Sequence, residues 1–156
     1  MPNPPKNQTD VALSLRRARC LKFALTAYGR ANKAKIPDDR YEFSLTINLS
    51  TSKINQQINV QVNSQLFEKS NPQLKLALAE IEVSCSFFIQ NFNDLLSNDA
   101  MGNLNIPDLL LHWCSNITLG AARGMFALKL EKTLYANALL PLVDMKLLKT
   151  VAYHLD

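Results

Sequence analysis

Hydrophobic and polar positions alternate most strictly between Tyr41 and Leu49. Tyr41, Phe43, Leu45, Ile47 and Leu49 are apolar, while Glu42, Ser44, Thr46 and Asn48 are polar. Successive strand residues point to opposite faces, so this run predicts a strand with one buried and one wetted face. After Ser50-Thr51-Ser52-Lys53 the alternation resumes, with Ile58, Val60 and Val62 apolar and Gln57, Asn59, Gln61 and Asn63 polar. The short polar break predicts a hairpin.

Two flanking segments are strand-like but irregular. From Val11 to Tyr28, Leu13 and Leu15 share a parity with Leu21, Phe23 and Leu25, yet Arg17 and Arg19 fall on it too. A bulge or strong twist near the arginines reconciles the two sets. From Leu74 to Gln90 the apolar parity is even at Leu74, Leu76 and Leu78, then odd at Ile81, Val83, Cys85, Phe87 and Ile89. That switch predicts a bulge near Ala79–Glu80, or a handover between packing partners. Turn chemistry separates the runs, at Gly29, Asn32, Pro37 and Asp38-Asp39, and again at Asn71-Pro72.

The strand signal stops after Phe92. Asn93 to Asn105 reads as a loop with a helical turn, and Pro107 suits the first turn of a helix. Helical spacing continues to about Thr133, with a break expected near Ser115-Asn116. Ile117, Ala121, Ala122, Met125, Phe126, Leu128 and Leu130 form its apolar stripe, and Arg123, Lys129, Glu131 and Lys132 its polar remainder. Tyr135 to Pro141 reads as a connector, followed by a last short helix from about Val143 to Tyr153.

Strands over about 11–92 and helices over about 107–156 make one α+β domain spanning 11–156. Its expected form is a four-stranded antiparallel sheet with the C-terminal helices packed on one face. Residues 1–10 are polar and Pro-rich and read as a disordered tail.

Composition narrows the function classes. Four glycines in 156 residues leave no Gly-rich phosphate cradle. No apolar run is long enough to span a bilayer, and the N-terminus lacks a secretory pattern. Cys20, Cys85 and Cys114 are odd in number and far apart, which suits reduced thiols in the cytoplasm. The net charge is +4, dispersed except at Arg16, Arg17, Arg19 and Lys22. Those four read first as a solvated or edge-protecting strand and only second as a nucleic-acid surface.

Candidate chemistry is sparse. His112 and Cys114 stand two apart on the expected helix, so they diverge by roughly 200° and do not share a metal easily. His154 lies near the chain end, and Asp38-Asp39 reads as a turn. Glu80 and Glu82 share one strand face. No catalytic, metal or cofactor site emerges, which favours binding over catalysis. Gly120 and Gly124 share a helix face beside Ala121, where small residues admit another backbone. Two readings stay open there: close packing on the chain's own sheet, or a helix–helix subunit contact.

The helical region resembles the SecB export chaperones. The resemblance is carried by Cys114-Ser115-Asn116-Ile117, by Ala122-Arg123 and by Leu139-Leu140-Pro141-Leu142-Val143-Asp144-Met145. The family has a Cys/Tyr-Pro-Asn-Ile-like entry to its long helix, an aromatic or small residue before Arg, and a Leu-x-Pro-Val-Asn-Phe-like connector. Spacing over Cys114 to Met145 is compatible without a gap, with Pro141 displaced by one position. Four strands precede the helices, as in the family.

The resemblance implies a homotetramer, a dimer of dimers, with helices sandwiched between sheets. It implies ATP-independent capture of unfolded polypeptide clients in apolar grooves, with no cofactor. Candidate client contacts are Phe87, Phe88, Ile89 and Phe92. Phe87 and Ile89 also fit a plain core because they share the apolar parity, whereas Phe88 does not. Candidate subunit contacts are Gly120, Arg123 and Gly124.

The family's acidic sheet surface serves the export motor ATPase. Here Cys20-Leu21-Lys22-Phe23-Ala24 carries no acid, which leaves Glu80 and Glu82 as the candidate docking acids. A branch guarding a cytosolic client, such as an antitoxin, fits the basic charge equally well. A non-chaperone regulator using the basic first strand is the alternative, and an enzyme ranks third.

Overall fold

The computed structural model describes residues 12–26, 40–69, 76–98, 104–143 and 152–155. The expected tail over 1–10 and the turns at 29–39 and 71–72 lie outside them. Four long strands come first along the chain: β1 (Leu13–Leu25), β2 (Tyr41–Ser52), β3 (Gln57–Glu68) and β4 (Ala79–Ile89). They pair antiparallel in the order β1-β4-β3-β2, with consecutive β2, β3 and β4 adjacent and β1 returning beside β4 as in a Greek key.

The expected hairpin joins β2 to β3. Ser52 pairs with Gln57 across the loop Lys53-Ile54-Asn55-Gln56. Asn55 Nδ2 donates to Ser52 Oγ at 3.1 Å, and Gln56 adopts a positive φ of 51° to turn the chain back. Within β3 and β4, alternate residues are buried, from Ile58 to Leu66 and from Ala79 to Ile89. Their partners on the opposite face, including Gln57, Asn59, Gln61 and Asn63, are half-buried and polar.

The parity conflict in β1 is resolved by irregularities, as expected near the arginines. Register shifts fall between Leu15 and Arg17 and between Cys20 and Lys22. Each inserts one residue, so the side-chain alternation flips twice. Leu13 and Leu15 lie opposite buried Ile89 and Phe87, whereas Arg17 and Arg19 lie opposite Ser86 and Ser84 on the polar face. The second shift returns Phe23 to the buried face opposite Ile81.

The switch near Ala79 has a different cause. No register shift occurs there; β4 simply begins at Ala79. Leu78 lies outside the strand and is nonetheless buried, its N–H donating to the Leu66 carbonyl at 2.7 Å. Its carbonyl accepts from Thr26 N–H at 2.9 Å. Leu78 therefore changes packing partner rather than marking a bulge.

A single turn, α1 (Phe92–Leu95), and a two-stranded ribbon of β5 (Ser97–Asn98) and β6 (Leu104–Asn105) lead to α2 (Asp108–Leu130). Pro107 stands at its N-cap. The helix runs through Ser115-Asn116 without the expected break. Ser115 faces the core, and Thr118 Oγ1 donates back to the Cys114 carbonyl at 2.8 Å. Packing against the sheet outweighs the weak helix propensity of Ser and Asn. Leu110, Cys114, Leu119, Ala122, Phe126 and Leu130 meet β1, β3 and β4 along this face. Each large apolar side chain so buried contributes about 1.5–3 kcal/mol. Phe126 holds Phe23 and Phe43 edge-on, both at 6.3 Å.

After α2 the chain turns at 131–137 and runs as a connector to Val143. The short helix expected over about 143–153 is corrected at its end: Ala152–Leu155 form β7, a strand parallel to β2, with Asn48 opposite Ala152. Backbone pairing to the exposed edge of β2 outcompetes a marginal short helix. Residues 144–151 lie outside the described part. The sheet thus has five strands, in the order β1-β4-β3-β2-β7.

Candidate functional site

Nothing covers the outward face of α2 within the described residues of this chain. Leu109, Trp113, Ile117 and Leu128 are all exposed, at 56, 41, 41 and 71%. At about 100° per residue these four, with Gly120 and Gly124, fall in a single stripe roughly 100° wide. A Cβ added at either glycine would meet no atom within 4 Å. Close packing of the glycines on the chain's own sheet is therefore ruled out, and the buried face of α2 lies on the other side.

Arg123 does not join that stripe. It is half-buried, and its Nε donates to the Leu140 carbonyl at 2.8 Å. Ala122 beside it is buried against the sheet. Two of the three segments that carry the SecB resemblance, Ala122-Arg123 and the described part of Leu139–Met145 (139–143), are thus joined by one hydrogen bond; Asp144 and Met145 lie outside the described residues. The third, Cys114–Ile117, lies two turns earlier on the same helix.

The candidate client contacts divide. Phe87, Ile89 and Phe92 are 0–1% exposed and belong to the core, so they offer no surface to a client. For Phe87 and Ile89 the strand parity already fitted the core; for Phe92 the one-turn helix α1 folds the ring inward. Phe88 points to the polar face, where the Arg16 guanidinium lies 4.8 Å above its ring. Accessible apolar groups stand elsewhere, at Leu15, Leu21 and Leu25 along β1 and at Leu109 and Trp113 on α2. The last two escape a reading of the stripe that begins at Ile117. Their signal is nonetheless present: Leu109, Trp113 and Ile117 recur every fourth residue.

Glu80 and Glu82 lie on the polar face of β4, as their shared parity implies. Neither is free. Lys22 Nζ sits 2.8 Å from Glu80 Oε2, and Asn63 Nδ2 donates to Glu80 Oε1 at 3.2 Å. Gln61 Nε2 donates to Glu82 Oε1. The bond from Lys22, with help from Asn63, holds the Glu80 carboxyl below its ordinary range, and Glu80 in turn raises Lys22. A cation from β1 therefore neutralises half of the acidic pair.

Cys85 and Cys114 are buried and Cys20 is exposed, all three as free thiols. Burial pushes Cys114 up to about 12 and raises Cys85. Neither is a nucleophile near neutral pH. Among the described residues no group of three or more His, Cys, Asp or Glu is placed to hold a metal. No described helix is long and apolar enough to cross a membrane.

The chain matches no protein-family model, and no curated protein matches it. Among solved structures it is similar to the SecB-like chaperone Rv1957 of Mycobacterium tuberculosis, in complex with a ChAD peptide from the Rv1956 HigA1 antitoxin. The two share 12% identity over 85% of each chain, with a TM-score of 0.48.

Proposed function

We propose that this protein is an ATP-independent holdase, which binds non-native polypeptides and keeps them from aggregating. One observation carries the reading: the apolar stripe of α2 left uncovered by the described residues, in a chain where Arg123 and Leu140 join two of the SecB-resembling segments. An apolar surface of this length is costly to leave in water and marks an interaction site. Extended clients offer the complementary groups, apolar side chains and unpaired backbone, and many weak contacts give affinity without sequence preference.

In this reading α2 supplies two contacts. Gly120 and Gly124 let the helix of another subunit approach closely, within a homotetramer built as a dimer of dimers. The leucines of β1, with Leu109 and Phe88, face the client. The free thiols suit a cytoplasmic location. A dedicated cytosolic client, such as an antitoxin, is favoured over service to the export motor, because Lys22 already occupies Glu80.

The test is aggregation of a chemically unfolded client, followed by light scattering, together with solution mass. An oligomer that suppresses scattering at near-stoichiometric ratio is expected. A monomer that leaves aggregation unchanged rejects the reading. Pull-down of the export ATPase at low salt decides the motor; binding there would reverse the preference for a cytosolic client.

A further inference from the structure

The polar face of the sheet holds a feature that client capture does not use. A cleft of about 450 Å³ opens there, lined by Arg19 from β1, Ser84 and Ser86 from β4, Asn59 and Gln61 from β3, and Asn48 from β2. It crosses all four antiparallel strands, and its charge comes from one side. Arg17 and Arg19 stand opposite Ser86 and Ser84, and the Arg16 guanidinium lies over Phe88 on the same face.

None of these three arginines has a carboxylate partner among the described residues. Of the acids on the same face, Glu80 is neutralised by Lys22 and also bonded by Asn63, whereas Glu82 is bonded by the neutral amide of Gln61 and keeps its charge. Glu80 lies four residues along β4 from Ser84, about 13 Å away, and Glu82 two residues, about 7 Å away. Three arginines against the one carboxylate of Glu82 thus leave this end of the face net positive, above a floor of hydroxyls and amides.

The floor chooses between anionic partners. Asn and Gln side chains both donate and accept hydrogen bonds, which matches a peptide backbone with its N–H and C=O groups. A phosphodiester backbone only accepts, so half of that capacity would go unused. Single-stranded nucleic acid also calls for open aromatic platforms, and Phe88 at this end is capped by Arg16. Carboxylates, by contrast, suit the planar fork of a free guanidinium.

We propose that this face is a second binding site, which takes an extended acidic segment of a partner polypeptide. Arg17 and Arg19 hold its carboxylates, and the Asn59 amide meets its backbone, joined by the Gln61 Oε1 as an acceptor, since Gln61 Nε2 already donates to Glu82. The site stands independently of the holdase reading, since it uses none of the apolar positions assigned to clients other than the already capped Phe88.

The experiment titrates the full chain into a fluorescein-labelled peptide of glutamate, serine and glycine and follows anisotropy. Binding at low salt that weakens as salt rises is expected. R17E/R19E should lose about tenfold or more in affinity, and N59A a smaller factor of about three. Both arginines are exposed and have no carboxylate partner among the described residues, so the fold should persist by circular dichroism; R17A/R19A replaces the reversal if it does not.

Failure of the wild type to bind the acidic peptide at low salt overturns the proposal, as does undiminished binding by the arginine variants. Displacement of the peptide by a lower concentration of single-stranded oligonucleotide overturns it in favour of nucleic acid. Suppression of aggregation by R17E/R19E, measured in parallel with an apolar client, should equal that of the wild type. A wild type that binds the peptide but suppresses no aggregation would reject the holdase and leave this site standing.

Discussion

Arg123 donates its Nε hydrogen to the Leu140 carbonyl at 2.8 Å, tying the last third of α2 to the connector that follows it. Packing holds the connector as well: Tyr135, Ala138 and Leu140 are buried, and Tyr135 meets Tyr41 edge-on at 6.5 Å. R123A should destabilise the fold by about 1–2 kcal/mol, because a charge-assisted bond is lost and a buried carbonyl is left unpaired. A lower urea midpoint, with faster exchange of the Ala138 amide, is the expected result. Unchanged exchange there would show that the connector is held by packing alone.

Lys22 and Glu80 should make stability depend on pH at two ends. Glu80 is lowered from its ordinary 4.5, chiefly by the hydrogen bond from Lys22, so its contribution is present above that value and fades as pH falls through the lowered one. Lys22 is raised from 10.5, chiefly by the bond to Glu80, so its contribution holds below 10.5 and is lost as pH climbs beyond. The pair is solvent-facing and salt should weaken it. In K22A the Glu80 carboxyl should titrate closer to 4.5, as read by carbon-detected NMR; no movement would mean that Asn63 and Gln65 set it.

The strands are legible in the sequence because two of them alternate strictly and one face of each is buried. Tyr41 to Leu49 and Ile58 to Val62 need no tertiary information, since period two is a local property. The irregularity of β1 is legible as a conflict, because Arg17 and Arg19 on an apolar parity have no other easy resolution. A second shift follows from the same conflict, because after one flip Phe23 and Leu25 would face the wrong way, but its position at Cys20/Lys22 leaves no mark. Strand order is hidden too: that β1 lies beside β4 is decided by long-range pairing, which periodicity does not encode. Propensity alone divides the helix at Ser115-Asn116, because it takes no account of the sheet that buries Ser115. Of the candidate site, the shared face of the two glycines is legible, whereas the cleft at Arg19 draws on four strands at once.

The thiols should separate by burial. Cys20 is exposed, whereas Cys85 and Cys114 are fully buried, with Cys114 pushed up to about 12. Only thiolate reacts with an alkylating reagent, so at mildly alkaline pH a single adduct at Cys20 is expected by mass spectrometry. The other two should label only at the rate of opening of the helix–sheet interface. Rapid triple labelling under native conditions would show that α2 leaves the sheet readily.

Gly120 and Gly124 offer a test in which stability and assembly move in opposite directions. A Cβ at either position would have no atom within 4 Å, so a side chain there meets open space within the protomer. Glycine inside a helix costs about 1 kcal/mol relative to alanine, so G120A and G124A should each stabilise the isolated fold by up to that amount. A larger side chain fills the notch through which a second helix would approach. G120L/G124L should therefore keep or raise the thermal midpoint of the protomer while the solution mass falls toward a single chain. If the mass is unchanged, the helices do not meet at these positions, and the glycines have another reason to be there. If the midpoint drops together with the mass, protomer stability depends on the contact itself, as in obligate assemblies. The informative pairing is a retained fold with lost assembly, because only a contact between copies makes a stabilising substitution disruptive.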